Sequence, residues 1–228
     1  YWGRVKVHEW GGFSTSKMRA SIKNGEYSGW DDPRLPTIQG LKARGIQSEA
    51  LRNFWIELGV TQKDISVPLA TLFSHNTKMV DDEARRLSFI RDPVEVHLQG
   101  EIPESVDIPI HPNHPKKGMR NISLNPPTIY IESEDATGTY RLKEFADIGE
   151  DGNIESIERS DKRPIIHWTS ATNSVESNLI IPDQEEIKIV NGRVESNDYE
   201  IGTIVQLERI GYAITKEDGY LLCLLYTS

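Results

Sequence analysis

The chain has 228 residues, with 26 Lys and Arg against 35 Asp and Glu and a formal net charge of -9. That length can bury one large core or two modest ones, two being the expectation, and no run approaches the roughly 18 apolar residues of a membrane helix. An acidic total argues against nonspecific polyanion binding, which needs clustered cations, but leaves room for a specific RNA contact through a few placed arginines.

In chain order, residues 1–92 read as loop and helix. Gly11 and Gly12 open a flexible loop, Phe13-Ser14-Thr15-Ser16-Lys17-Met18, that carries hydroxyls and one ammonium. A proline-clamped elbow follows, Gly29-Trp30-Asp31-Asp32-Pro33-Arg34-Leu35-Pro36-Thr37. Pro33 pushes Asp32 out of the helical region, Pro36 suits a first helical turn, and Gly45 suits an end, so residues 36–44 are predicted as a short helix. Ser48 caps a second helix with Leu51, Phe54, Trp55 and Leu58 on one face and Gly59 closing it. Thr61 and Asp64 resemble a capping box for a third helix reaching Leu72, and a last helix is expected between Val80 and Leu87. Trp30 and Trp55 are expected in the core.

From Asp92-Pro93 the texture changes to strands. Residues 94–98, 128–131 and 187–190 alternate apolar and polar, with turn signals at 150–153, at Asn191-Gly192 and at 217–219. The charge changes too: residues 1–92 carry 14 basic against 11 acidic side chains, residues 93–228 carry 12 against 24. The pattern predicts an α+β, multi-domain chain, a short helical unit over 1–92 followed by two antiparallel β-barrels over 93–228, with residues 103–127 a long proline-rich loop.

Few residues point to chemistry on their own. A lysine on a mobile loop, Lys17, suits the negative charge that builds on a departing pyrophosphate, with Ser14 and Ser16 supplying donors. His111 and His114 have a spacing that serves zinc on a helix, but Pro112 and Pro115 forbid that helix, so no metal site is expected. Asp31 and Asp32 read as a helix cap or as partners of Arg34 rather than an acid/base pair. The single Cys223 permits no internal disulfide, and no charged-then-apolar leader opens the chain, so the cytoplasm is the expected location.

The segments SGWDDPRLPTIQGLKARG and SEALRNFWIELGVTQKDIS, Asn113-His114-Pro115, Gly118-Met119-Arg120, Ile166-His167-Trp168 and residues 205–212 occur in an order that resembles the class I glutamyl-tRNA synthetases of archaeal and eukaryotic type and their glutaminyl relatives. The loop reads STSKM where that family has KMSKS, so Ser14 replaces the first lysine and Lys17 keeps the second. The resemblance implies that ATP is gripped by Ser14, Ser16 and Lys17, with Lys17 catalytic. It implies that the helical unit, including Arg34 and Arg44, touches the inner corner of tRNA. The barrels would hold the anticodon through Arg120, Gln206 and Arg209, unless Arg209 pairs with neighbouring acids in the barrel; Lys162 and Arg163, the other local basic spot, read equally as a nucleotide contact or as a solvated hairpin tip. Its full activity is ATP- and Mg²⁺-dependent ligation of glutamate to tRNA(Glu), with tRNA(Gln) a further possible partner. No His-x-Gly-His motif is present, so a nucleotide fold is expected ahead of Tyr1, and this chain alone is expected to be inactive. A glutaminyl-tRNA synthetase is the rival inside the family. A stand-alone RNA-binding barrel protein is the rival outside it, and such a protein has no use for the Lys17 loop.

Overall fold

The computed structural model describes residues 5–8, 14–59, 64–159, 162–183 and 186–225. At its helical end β1 (Val5–Val7) is followed by α1 (Thr15–Lys23), α2 (Ile38–Ala43), α3 (Ser48–Leu58), β2 (Ile65–Val67) and α4 (Leu69–Val80). β1 and β2 pair in parallel. Thr37 starts α2 by accepting a hydrogen bond from the Gly40 amide at 2.9 Å. Gly45 ends that turn at φ +89 and lies so close to the Cys223 sulfur that a Cβ would come within 2.8 Å of it. Leu41, Ile46, Phe54, Leu69 and Leu72 form the local core.

Several expectations change here. α3 is capped by Gln47 rather than Ser48. It buries Ala50 and Phe54, four residues apart, which turns Trp55 one position off the apolar stripe to 49% exposure; Trp30 is also at the surface. Thr61 lies outside the described residues; Ile65–Val67 is a strand, and the helix that was expected to reach Leu72 begins only at Leu69. The helix expected between Val80 and Leu87 is instead a turn followed by β3 (Arg85–Leu87), which pairs with a strand more than a hundred residues further on; distant pairing overrides the local preference for helix.

The rest of the chain is strands: β4 (Phe89–Arg91), β5 (Pro93–His97), β6 (Ser105–Pro109), β7 (Met119–Ser123), β8 (Thr128–Glu132), β9 (Tyr140–Leu142), β10 (Asp147–Ile148), β11 (Ile154–Ser156), β12 (Ile165–Ile166), β13 (Thr169–Ser170), β14 (Ser174–Pro182), β15 (Ile187–Glu195), β16 (Ile204–Leu207), β17 (Gly211–Lys216) and β18 (Gly219–Leu225). The sheets β11-β10-β9-β12, β13-β8-β5 and β6-β7 share one core that includes Ile129, Ile131, Leu142, Ile148 and Trp168. A seven-stranded sheet, in the order β3-β16-β17-β18-β14-β15-β4, encloses Phe89, Leu179, Val205, Leu207 and Leu222. Its two outermost strands, β3 and β4, are separated in the chain by Ser88 alone. Val80, Ala84, Tyr212 and Cys223 join the helical end to this sheet.

Pairing is mixed rather than purely antiparallel, since β12 with β9, β14 with β18 and β16 with β3 run parallel. The stretch 103–127, expected to be irregular, holds the hairpin β6–β7 in a five-pair register. Asn191-Gly192, expected as a turn, lies inside β15. Gly192 is needed there because a Cβ would meet the Ile90 carbonyl at 2.5 Å and the Phe89 ring at 2.6 Å.

Candidate nucleic-acid interface

The elbow is held by one carboxylate. Asp32 is buried and accepts from the Ser28 amide at 3.0 Å, from the Arg34 amide at 3.0 Å, and from Arg34 Nε and Nη2 at 2.9 and 2.8 Å. Burial pushes its pKa up, but the Arg34 guanidinium and these amides outweigh that and hold it at about 2. Arg34 also lies 4.6 Å over the Tyr27 ring. Arg44 is buried, 5.7 Å over the Phe73 ring, and donates to the Cys223 carbonyl at 3.2 Å. Burial drives the Cys223 thiol up to about 12, so it is a packing group.

Lys17, Ser14 and Ser16 are exposed. The segment is not a loop over its described length: Ser14 caps α1, its Oγ accepting from the Lys17 amide at 3.3 Å, so Lys17 stands in the first turn of a helix that buries no residue. Gly11 and Gly12, expected to let it close, lie outside the described residues.

A cleft of about 360 Å³ opens where β12 faces β16, and Arg86, Lys143, His167, Gln206, Glu208 and Arg209 line it. The chain leaves β16 through Glu208-Arg209-Ile210, and Arg209 takes a left-handed φ of +62, unusual for a side chain of its size. Its guanidinium grips Asp135 with both ends and lies 3.3 Å from His167 Nδ1. His167 Nε2 bonds the Phe89 carbonyl at 3.0 Å. Burial lowers the His167 pKa, so the ring is neutral, with Nε2 donating and Nδ1 accepting from Arg209.

Glu132, Asp135 and His167 form a cluster of three groups of the kind that bind cations. Each carboxylate already holds a guanidinium: Arg91 binds Glu132 through Nε at 2.6 Å and Nη2 at 2.9 Å, and Arg209 binds Asp135. Burial raises the Glu132 pKa, yet Arg91 brings it net below the ordinary value. The cluster is therefore a set of ion pairs joining the two β cores.

The remaining sequence-derived residues divide. Gln206 and Arg209 share the cleft. Lys162 is exposed, and Arg163, which donates to the Ile148 carbonyl at 3.1 Å and pairs with Glu155, leads into β12, whose Ile165 and Ile166 line the cleft. Arg120 lies beneath it, only 16% exposed, between Glu195 and Glu208. His111 and His114 bond the Asp81 carbonyl at 3.0 Å and the Asp82 carboxylate at 2.9 Å, which locks the loop onto the end of α4. Sequence reading missed Arg86 and Lys143. The pair Arg85-Arg86 was a visible signal, obscured by the expected helix; Lys143 carried none.

Comparison with known proteins agrees along the whole chain. Residues 10–82 match the catalytic domain of "tRNA synthetases class I (E and Q)", and residues 84–163 and 165–216 match two anti-codon binding domains of the same class. A glutamate–tRNA ligase of Methanosarcina mazei is 36% identical over 236 residues, covering 96% of this chain and 40% of that protein. That of Methanothrix thermoacetophila is 38% identical, covering 93% and 39%, and that of Archaeoglobus fulgidus 33% identical, covering 100% and 42%. The chain thus spans about two fifths of the length of the curated relatives it matches. With catalytic and anticodon-binding segments of one family in uninterrupted order, the chain belongs to the class I tRNA synthetases of the E and Q group.

Proposed function

We propose that this chain is the ATP-loop and tRNA-reading part of a glutamate–tRNA ligase, working in the cytoplasm on glutamate, ATP and tRNA(Glu). The observation that carries the reading is the cleft that Gln206 shares with the half-exposed Arg209, where Arg209 is held by Asp135, Lys143 by Glu208 and the buried Arg86 by Asp81. The division at residue 92 and the pair of barrels belong to this proposal. Support for the second barrel comes from β3 and β4, which put one short stretch of chain on both edges of the same sheet.

An amide at Gln206 both donates and accepts at a base edge, and the Arg209 guanidinium, its edge held by Asp135 but its side chain 45% exposed, offers a face on which a base stacks. Lys162 and Arg163 extend the basic face beside β12. Arg34 and Arg44, both engaged in internal contacts, support the tRNA-facing helices as scaffold. Lys17, presented by the first turn of α1, neutralises charge on the pyrophosphate as it leaves, while Ser14 and Ser16 bring hydroxyls to the same end. Mg²⁺ would supply further charge neutralisation at the phosphates. The described cluster of three ligand groups, Glu132, Asp135 and His167, is already committed to arginines.

The test is glutamate-dependent ATP–pyrophosphate exchange together with tRNA binding in the intact protein. Lys17→Ala should lower exchange by about 100- to 1000-fold and leave tRNA affinity unchanged. Gln206→Ala should weaken binding by about 5- to 150-fold, unequally among transcripts with single anticodon substitutions, and leave glutamate activation intact. Exchange that proceeds with glutamine but not glutamate would refute the assignment, as would turnover by residues 1–228 alone refute the inactivity expected of them. Binding tRNA(Glu) and tRNA(Gln) side by side settles the second partner.

A further inference from the structure

The hairpin of β14 and β15 is paired along its whole length, from Ser174 with Glu195 to Pro182 with Ile187. On its other side β15 has a neighbour over three residues only: β4 pairs with Gly192, Arg193 and Val194 and goes no further. The cause is local. Asp92 takes a left-handed φ of +43 and Pro93 follows it, so the chain turns out of the ladder there and starts β5. Among the described residues, nothing pairs with residues 187–191 on the side that β4 vacates.

Strand geometry says which backbone groups this leaves open. The Glu195 amide donates toward β4, to the Ser88 carbonyl at 3.1 Å, and alternate residues of a strand point their amides and carbonyls the same way. Ile187, Ile189 and Asn191 therefore aim theirs at the vacated side, while Lys188 and Val190 aim theirs at β14. Ile187 and Ile189 are 40% and 63% exposed, and across the hairpin they face Pro182 and Ile180. Lysine, proline or a bulge usually blunts such an edge. Here the Lys188 ammonium is drawn onto Asp183 and Glu186 in the turn, and the ladder to β14 runs without a shift. Where β4 departs, a cleft of about 670 Å³ opens between Asp92 and Tyr130 and the hairpin residues Glu176, Asn178 and Asn191. Arg193 also lines it, 4.4 Å over the Tyr130 ring and 3.7 Å from Glu176. Lys188 and Arg193 are thus held by acids of their own hairpin, and this surface keeps an excess of negative charge.

We propose that residues 187–191 are a strand-addition site for an extended segment of a partner protein, with a short aliphatic centre between lysines or arginines. The segment continues the line of β4, pairs with the Ile187 and Ile189 backbone, and lays its aliphatic side chains on Ile180, Ile187 and Ile189. Its cations meet Glu186 at the turn and Asp92 and Glu176 at the cleft. Those acids select the occupant, because an antiparallel second copy would set its own Asp183 and Glu186 against them and RNA would meet carboxylates. The site shares no residue with the RNA-facing cleft, so either reading can fail without the other.

The test titrates the intact protein with a labelled, end-blocked heptapeptide holding Val-Thr-Val between two pairs of lysines, and follows hydrogen exchange at the Ile187 and Ile189 amides. Saturable binding with slowed exchange at both amides is expected. No binding is expected with glutamates in place of the lysines, or with both valine amides N-methylated. Ile189→Pro removes an amide on the vacated side and spares the ladder to β14, and it should weaken the peptide by about tenfold. Glu176→Gln combined with Glu186→Gln should weaken it by about threefold. Both variants should keep the wild-type affinity for tRNA(Glu). Binding that survives N-methylation or Ile189→Pro would show that no strand is added and would overturn the inference. Slow exchange at the two amides in the protein alone would overturn it too, assigning the edge to a second copy if protection grows with protein concentration and to the protein's own chain if it does not. Displacement of the peptide by tRNA(Glu) would make this surface an RNA contact instead. Should Ile189→Pro fail to fold, the N-methylated peptide carries the same test on the unaltered protein.

Discussion

The elbow and the seam between the two β cores both use arginine against a buried carboxylate, and they do so over different reaches of chain. At the elbow Asp32 meets Arg34 two residues away, with the turn already bent by Pro33. At the seam Arg91 meets Glu132, Arg209 meets Asp135, and Arg120 meets Glu195, partners separated by at least 41 residues. The local pair shapes one turn. The distant pairs hold two β units in register with each other, so the relative placement of the RNA-facing groups depends on charges that no short window of sequence displays. Their protonation differs accordingly: Asp32, satisfied by amides and a guanidinium, sits at about 2, while Glu195, in a drier place with another acid nearby, sits at about 6.

Mutations separate the two kinds of pair. Arg91→Ala should be the costliest, about 3–5 kcal/mol by chemical denaturation, because it strands Glu132 in the interior. A cost under about 1 kcal/mol would mean that this seam pair behaves as an exposed one and that the contrast is false. Asp32→Asn should cost about 2 kcal/mol at neutral pH. Its pKa is depressed on folding, so the stability it provides is present above about pH 4 and is lost as pH falls toward 2; the variant should show a shallower acid slope in that window. Glu195 has the opposite sign. A raised pKa contributes stability below about pH 4.5 that is lost as pH rises through about 6, roughly 2 kcal/mol in all, so Glu195→Gln should flatten the curve between pH 5 and 7. Trp55→Ala, on an exposed face of α3, should change stability by no more than about 0.5 kcal/mol, and a larger loss would show that α3 is packed more deeply than its exposure implies.

The same difference in reach explains what the sequence discloses. Pro36, Gly45 and Gly59 bracket α2 and α3 to within a few residues because a cap or a left-handed residue acts on its immediate neighbours. Alternation marks β5, β8 and β15 for the same reason. β3 was hidden because Glu83-Ala84-Arg85-Arg86-Leu87 has helical preference and its strand partner, β16, lies far away. The β6–β7 hairpin was hidden behind prolines that sit at its ends and in its connecting loop rather than breaking its ladder. Asn191-Gly192 looked like a turn because the demand for glycine comes from Phe89 and Ile90 across the sheet. Within the site, Gln206 and Arg209 were legible from their motif, whereas Arg86 and Lys143 gained their place only from the crossing of strands, and the placing of Arg120 follows from two glutamates 75 or more positions downstream.

The split strand at Ser88 also orders events in time. β3 and β4 leave the ribosome before their partners, β15 and β16, which lie after residue 186. At about 5–20 residues per second, the two edges wait roughly 5–25 s for something to bind. Over that interval the nascent chain carries two adjoining unsatisfied ladders, and a domain of such high contact order closes slowly even once complete. Synthesis of this protein thus includes a period in which the backbone of Arg85–Arg91 stands without its own pairing strands, until β15 and β16 arrive.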